Sequence, residues 1–335
     1  MRNPPSTSNF AALLQEYFVE RLMQQRAVSP QTVASYRDTF QLFLQFAQQH
    51  LGKRPTDFAL ADINVKLVLA FLRHLEVDRH NCVRTRNARL VALRSFLKYA
   101  ALKDISALAV IQSTLAIPMK RCDKPLIGFL SREEIQALIA APDTDSWCGM
   151  RDRVLLATLY NTGARVSELI GLRVGDVVLN QAPCVHILGK GRKERTVPLW
   201  RATANQIRSW LPRISSASDQ SLFPNRSGNP MTRSNVTDRL NLAVQSAAGQ
   251  CPELRHRHVS PHLIRHSTAM HLLQSGVDLT VIALWLGHES TATTHTYVAA
   301  DLGMKERALN TLQPPHTKTL RYRPPDRLMQ FLDGL

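Results

Sequence analysis

SPHLIRHSTAMHLLQSGVDLTVIALWLGH, residues 260–288, predicts two consecutive helices with sharply defined ends. Ser260-Pro261 has the form of an N-cap followed by proline in the first helical turn, and Gly276 supplies the stop. Asp278 is placed to cap the second helix, which Gly287 closes. Polar side chains near these ends are therefore expected on well-positioned backbone.

Four side chains in and after this segment suit phosphoryl chemistry. His262 and Arg265 are three residues apart, so they share a face of the first helix. His288 follows the second helix, and Tyr297 lies further on in a threonine-rich stretch that forms helix poorly and can therefore move. Arginine and histidine stabilise charge on a phosphoryl group, and a tyrosine hydroxyl can attack one. No Glu or Cys completes a zinc pattern with these histidines, and we expect no metal or other cofactor.

Two upstream motifs add cations to this set. In TGARVSEL, residues 162–169, Arg165 follows a glycine stop at the start of a helix, and Glu168 lies one turn on, placed to orient it. In LGKGRKER, residues 188–195, a glycine-rich turn between two short strands carries Lys190, whose ammonium could reach a phosphate oxygen.

The N-terminal block, residues 10 to about 110, shows helical periodicity throughout. Its last predicted helix, from about Val83 to Ala101, has an apolar inner face and lies within a stretch, Arg79 through Lys103, that contains no acidic residue. An all-basic face is more typical of a phosphate-contacting surface than of a merely solvated helix. We predict DNA contacts from the outer-face residues Arg84, Arg86, Arg89, Arg94 and Lys98.

Composition supports a polyanionic partner. The chain has 335 residues, and 42 Lys and Arg against 26 Asp and Glu give a formal net charge of +16. A charge of that size, spread along the chain, favours double-stranded DNA over a membrane surface. Because the N-terminus is polar and no apolar run reaches bilayer length, we expect a cytoplasmic protein. The five cysteines form no Cys-x-x-Cys pair, which disfavours a zinc or redox site.

The motif order divides the chain into four parts. We predict a helical DNA-binding domain over 1–110, a basic linker over 111–128, a catalytic domain over 129–310 and an extension over 311–335. The catalytic domain opens on a capping box, Ser131 to Glu134, and includes a small antiparallel sheet. The fold class is mainly α with that sheet.

The motifs TGARVSEL, LGKGRKER, HLIRH and LGH, followed by Tyr297, resemble in order and spacing those of the tyrosine recombinases, the phage integrase family. The resemblance is to the Xer-like and mobile-element branches and covers roughly residues 130–310. Ser29-Pro-Gln-Thr32 with Tyr36, and residues 89–99, more weakly resemble that family's helical core-binding, SAM-like domain. The resemblance implies a C-shaped clamp of two domains on DNA.

The resemblance also implies roles for six residues. Tyr297 is the nucleophile that forms a 3′-phosphotyrosyl link, and Arg165 and Arg265 bind the non-bridging phosphate oxygens. Lys190 is the general acid for the 5′-oxygen, with Lys193 a nearby alternative. His262 accepts the tyrosine proton, and His288 donates a hydrogen bond to the phosphate.

We therefore expect a site-specific recombinase or integrase of a mobile genetic element, working as a tetramer on two DNA sites. The apolar end of the extension is a candidate to pack on a neighbouring subunit, through Leu328, Met329, Phe331 and Leu332. Two alternatives remain: a DNA-binding protein without activity on the same fold, and a type IB topoisomerase-like enzyme, which shares this chemistry but acts alone. The intact set of six residues disfavours the first, and the compact N-terminal block disfavours the second.

Overall fold

A computed structural model describes residues 10–122, 128–189, 193–214 and 217–288. The chain divides into two compact units, Met1–Pro125 and Leu126–Leu335. Tyr297, Lys190 and the extension over 311–335 lie outside the described residues. None of the helices in the described ranges has both the length and the apolar character that a bilayer crossing requires.

The first unit is helical in all its described regular elements. Its helices are α1 (Phe10–Glu16), a π-helical continuation (Tyr17–Gln25), α2 (Pro30–Leu51), α3 (Val65–Val77), α4 (Val83–Lys103) and α5 (Leu108–Leu115), with short 3-10 turns at Pro55–Asp57 and Leu60–Asp62. Ser29 caps the N-terminus of α2, because its hydroxyl accepts from the backbone N–H of Thr32 at 3.3 Å.

Aromatic side chains fill the core of the first unit. Phe96 on α4 packs edge-on against Phe10, Tyr17 and Phe40, with ring centroids 5.4–5.8 Å apart. The predicted inner face of α4 is confirmed, since Leu90, Leu93, Leu97 and Ala100 are all buried.

The predicted outer face of α4 is wrong in part. Arg84 and Lys98 are exposed, but Arg86 retains only 4% of its surface. The Arg89 guanidinium donates to the Ser35 carbonyl of α2 at 3.2 Å, and Arg94 donates to the Leu115 carbonyl of α5. Neighbouring segments thus cover α4 on two sides and bind these arginines through backbone carbonyls.

The linker predicted over 111–128 begins too early. Leu108–Leu115 forms α5, and Ile111 and Ile117 are buried in the core of the first unit. The Arg86 guanidinium donates to the Pro118 carbonyl at 3.4 Å. The chain that follows α5, within the predicted linker, therefore covers this arginine. Eight residues are too short for the helical period to stand out from the sequence.

The second unit is mainly helical with a small sheet. Its elements are α6 (Arg132–Ala140), α7 (Trp147–Thr162), α8 (Val166–Ile170), β1 (Val177–Val178), β2 (Cys184–Leu188), β3 (Glu194–Pro198), α9 (Arg201–Trp210), α10 (Arg233–Ala247), α11 (Pro261–Gln274) and α12 (Leu279–Leu286), with 3-10 turns at Val174–Asp176, Leu211–Arg213 and Pro252–His256. The predicted capping box of α6 is confirmed, because the Ser131 N–H donates to Glu134 at 2.6 Å.

The described strands form an antiparallel sheet in the order β1-β2-β3. Leu188 pairs with Glu194, and the Gly189 N–H donates to the Lys193 carbonyl at 2.8 Å, so β2 and β3 are joined as the predicted hairpin. Val185, Ile187 and Val197 are fully buried in the main core of the unit. The β2–β3 pair is thereby held against the same core that supports α7 and α8.

Candidate active site

Arg265 lies where three helix ends meet. It is in the second turn of α11, is 2% exposed, and donates to the Gly163 carbonyl at the end of α7 at 2.5 Å. It also donates to the Leu286 carbonyl at the end of α12 at 2.7 Å. Since a carbonyl at a helix end lacks an intrahelical partner, both bonds satisfy backbone groups and orient the guanidinium plane.

Gly163 allows these ends to approach. Its φ of +57° is the left-handed conformation that glycine adopts readily, and it is the C-cap of α7. A Cβ at this position would lie 2.5 Å from the Leu286 side chain. Any larger residue would therefore separate α7 from α12 and disturb both carbonyls that hold Arg265.

Arg165 is oriented by Glu168, as the sequence predicts. Arg165 is the N-cap residue of α8, and its backbone N–H and Nη1 donate to the two Glu168 carboxylate oxygens at 3.0 and 2.8 Å. Burial alone would raise the pKa of Glu168. Hydrogen bonds from Arg195 and Arg165 outweigh burial and hold that pKa below its ordinary value. The carboxylate is consequently charged near neutral pH and fixes Arg165 at the helix start.

Arg195 is a site residue that sequence reasoning missed. Its side chain is 10% exposed; Nη2 donates to Glu168 at 2.7 Å, and Nε donates to the Trp285 carbonyl of α12 at 2.9 Å. In the sequence it is one of three cations in GRKER, residues 191–195, a pattern that predicts only a turn leading into a short strand. Nothing in the local pattern separates it from Lys193, which is exposed.

His288 lies in the electrostatic field of the other site residues. It follows the left-handed Gly287 that ends α12, and its N–H donates to the Ala283 carbonyl at 2.9 Å. Burial, followed by the charges of Arg265, Arg165 and Arg195 and by the nearby His262, lowers the pKa of His288 to about 4. Arg165, Arg195 and His288 also line one cavity, and Arg265 donates to the Leu286 carbonyl two residues before His288, so the ends of these elements meet here.

His262 is on the first turn of α11 and keeps an exposed surface. Partial burial of its ring, followed by the charges of Arg265 and Arg165, lowers the pKa of His262. The ring is therefore neutral near pH 7 and can accept a proton. His266, one turn after His262 on the same helix, is 5% exposed, and within the described ranges no three His, Cys, Asp or Glu side chains group to hold a metal ion.

A cavity of about 240 Å³ adjoins these residues. Arg165 and His288 line it together with Arg195, and β3, the hairpin neck and α12 supply the rest of the wall. Lys193, the alternative to Lys190, is also on the wall. Its lining is Arg165, Gly189, Lys193, Glu194, Arg195, Ala283, Leu284, Gly287 and His288.

The structure brings together four of the six predicted catalytic residues: Arg165, His262, Arg265 and His288. Lys190 and Tyr297 lie outside the described residues; Gly189, which precedes Lys190 in the chain, lines the cavity. The five α4 residues predicted to contact DNA belong to the first unit.

Two family profiles match the chain. The profile described as "Phage integrase family" matches residues 128–303, and "Phage integrase, N-terminal SAM-like domain" matches residues 15–104.

Two relatives match most of the length of this chain. The putative integrase/recombinase y4rC of Sinorhizobium fredii is 43% identical over 98% of this chain and 99% of its own length. The tyrosine recombinase XerD of Pseudomonas putida is 32% identical over 84% of this chain and 91% of its own length.

Solved structures share the fold at low identity. The XerH site-specific recombinase bound to a palindromic difH substrate has a TM-score of 0.69 at 21% identity, covering 85% of this chain and 81% of its own. A lambda integrase tetramer bound to a Holliday junction has a TM-score of 0.62 at 14% identity, covering 88% and 78%. These likenesses support the fold alone.

Proposed function

The chain belongs to the phage integrase family, and on that premise we propose how its residues carry out the reaction. It is a tyrosine recombinase, an enzyme of site-specific recombination that cleaves and rejoins DNA. The observation that carries the proposed mechanism is that Arg165 and His288 line one cavity and that Arg265 donates to the Leu286 carbonyl, two residues before His288.

In the proposed first step, the Tyr297 hydroxyl attacks a backbone phosphate of DNA. His262 accepts the proton, for which a neutral ring with a lowered pKa is suited. A bond forms between the tyrosine oxygen and phosphorus while the bond from phosphorus to the 5′-oxygen breaks. Lys190 donates a proton to that departing oxygen, which leaves a 3′-phosphotyrosyl link and a free 5′-hydroxyl.

Arg165 and Arg265 hold the phosphate during this step. Negative charge grows on the non-bridging oxygens as the tyrosine attacks, and planar guanidinium groups match their geometry. Arg265 is fixed by two helix-end carbonyls and Arg165 by Glu168, so neither has to be reoriented as the charge develops. The neutral His288 ring donates a further hydrogen bond to the phosphate.

Rejoining reverses the same chemistry. The phosphodiester energy is retained in the link between protein and DNA, so resealing needs no nucleotide. A 5′-hydroxyl from a partner strand attacks the phosphotyrosine and gives its proton to Lys190. The bond from phosphorus to the tyrosine oxygen breaks, and His262 returns the proton to Tyr297. Exchange of strands between two sites is the result.

We also propose an organisation around this reaction. The first unit is the core-binding domain, residues 129–310 form the catalytic domain, and four subunits act on two double-stranded DNA sites. A solved lambda integrase tetramer on a Holliday junction supports the last point by analogy. The y4rC relative, a putative integrase/recombinase, supports a role in a mobile genetic element. A DNA substrate fits the cytoplasmic location expected from the sequence.

The test is covalent trapping with the full-length chain. Duplexes are selected from a random pool by binding, and a nick is placed near each candidate cleavage point so that the short 5′-hydroxyl strand diffuses away. Wild type is expected to form a denaturant-resistant protein–DNA adduct, because resealing is prevented. Tyr297→Phe is expected to bind the same duplex and to form none.

Tyr322→Phe is the matched control, since it removes the other C-terminal tyrosine hydroxyl and leaves Tyr297 in place. We expect this variant to form the adduct at the wild-type rate. An adduct that persists in Tyr297→Phe would overturn the nucleophile assignment. Tight binding by wild type without an adduct, on substrates nicked in either strand, would overturn the catalytic function and favour a DNA-binding protein on the same fold.

A further inference from the structure

The Arg195 guanidinium joins the supports of two proposed phosphate-binding residues. Through Nη2 it reaches Glu168, the carboxylate that orients Arg165. Through Nε it reaches the Trp285 carbonyl, in the last turn of α12, three residues before His288. One nearly buried side chain on β3 therefore contacts both elements.

Two glycines show how closely the guanidinium is packed. A Cβ at Gly287 would lie 2.9 Å from Arg195 Nη1 and 3.3 Å from both Cδ and Cζ. A Cβ at Gly189, in the neck of the hairpin, would lie 3.3 Å from Nη1. The side chain is thus enclosed between the hairpin neck and the end of α12, and only residues without a Cβ leave it room.

The contacts need an arginine rather than any cation. Glu168 and the Trp285 carbonyl are met by two nitrogens of one rigid plane, which point in different directions. A lysine has one nitrogen on a flexible stem and cannot hold both partners with fixed geometry. The arrangement therefore fixes the distance between α8 and α12 as well as supplying charge.

We propose that Arg195 is a positioning residue that fixes the positions of Arg165 and His288 relative to each other at the scissile phosphate. It does not touch the reacting atoms. It acts through Glu168 on one side and through the α12 end on the other. This inference rests on the proposed function, because it assumes that Arg165 and His288 bind the phosphate.

The consequence is specific to charge stabilisation at the phosphate. If Arg195 is replaced by Lys, Arg165 and His288 no longer share one anchor, and their donors are misaligned with the oxygens where charge develops. Replacement of a non-bridging oxygen by methyl, as in a methylphosphonate, removes one negative charge from the phosphate. Cleavage of that substrate depends less on aligned hydrogen-bond donors at the phosphate. It still requires the nucleophile, the general acid and a folded enzyme.

The experiment measures single-turnover adduct formation by full-length Arg195→Lys on two suicide duplexes, one with the natural phosphodiester and one with a methylphosphonate at the mapped cleavage point. Both methylphosphonate diastereomers are tested. On the phosphodiester we expect a loss of ~10- to 100-fold relative to wild type, the usual effect of removing a supporting contact. On the methylphosphonate we expect that loss to shrink about tenfold or more, since an aligned donor is worth ~10²-fold only where charge develops.

Arg257→Lys is the matched control. Arg257 also donates to one carboxylate, Glu134 at 2.9 Å, and to one backbone carbonyl, Phe129 at 3.0 Å, in the same unit. The same substitution there should leave the rates on both substrates at the wild-type level. Arg165→Ala calibrates the assay, because it removes a clamp residue outright and should show the same relief on the methylphosphonate.

The outcomes separate this inference from the proposed function. If wild type forms no adduct, the proposed function fails. If wild type forms it and Arg195→Lys is equally fast, or is slowed by the same factor on both substrates, only the positioning role is overturned. Should Arg195→Lys fail to fold, Arg195→Gln, which retains a planar donor, is measured in its place with the same expected pattern.

Discussion

Gly287→Ala tests the packing of the site with a single methyl group. Gly287 has a φ of +65°, and an added Cβ would lie 2.9 Å from Arg195 Nη1. Gly276 is also left-handed, with a φ of +83°, but a Cβ there would meet nothing within 4 Å. Both glycines follow a helix of the same unit, so Gly276→Ala carries the backbone cost without the collision.

The magnitude follows from these two terms. An L-residue in the left-handed conformation costs roughly 1–2 kcal/mol, which applies to both variants. Forcing an extra methyl into a packed site costs roughly 1–3 kcal/mol more, which applies only to Gly287→Ala. Arg195 cannot yield easily, because it is 10% exposed and a shift would strain its bonds to Glu168 and the Trp285 carbonyl. We therefore expect Gly287→Ala to unfold more easily than Gly276→Ala by at least ~1 kcal/mol.

Tryptophan fluorescence reports on the relevant unit in the full-length chain. All four tryptophans, Trp147, Trp200, Trp210 and Trp285, belong to the Leu126–Leu335 unit. Urea unfolding followed at these residues gives the free energy of unfolding of that unit for wild type and both variants. Adduct formation on the suicide duplex is measured in parallel, and we expect it to fall in Gly287→Ala and to stay at the wild-type rate in Gly276→Ala.

Equal loss of stability in the two variants would refute this reasoning. It would mean that the collision with Arg195 is relieved without cost, so that the guanidinium is not held as tightly as its contacts indicate. A normal rate of adduct formation in Gly287→Ala would likewise show that the α12 end tolerates displacement.

Two further predictions concern pH and DNA binding. Because the pKa of His262 is lowered from its ordinary value of 6.5 and its neutral form accepts the proton, the single-turnover rate of wild type should decline at acid pH with a midpoint below 6.5; a midpoint above 6.5 would contradict the assignment. Arg84→Ala, at an exposed position of α4, should weaken DNA binding and reduce the salt slope of log K by ~1. The buried Arg86→Ala should instead leave that slope unchanged and lower the thermal unfolding temperature of the protein, as measured by circular dichroism; a reduced slope would return Arg86 to the DNA surface.

Local signals predicted most of the helix ends correctly. Proline after Ser29 and Ser260, aspartate at 278 and glycines at 163 and 287 each act within a few residues, and all mark helix ends in the structure. Capping and left-handed stops depend on the local backbone alone, which explains why the sequence is sufficient for them.

The errors arose where burial depends on another element. Arg86 has the helical position of an exposed residue, but α5 and the segment after it cover that side. The buried Ile111 and Ile117 side chains anchor α5 and the residues after it in the core. A helix this short shows no clear hydrophobic period in the sequence. Side-chain position on one helix cannot reveal which face a neighbour will cover.

The sequence by itself predicted the chemistry of this protein and most of its helix boundaries. Arg165, His262, Arg265 and His288 could be named because their types and spacing form an ordered set of motifs, whereas the convergence of these residues depends on contacts between segments far apart in the chain. Only the tertiary structure decided that Arg265 is held by carbonyls of two other helices, and that Arg195 spans Glu168 and α12. The physical reason is that a guanidinium's role depends on which acceptors lie at its few N–H groups, and here those acceptors are brought to it by folding.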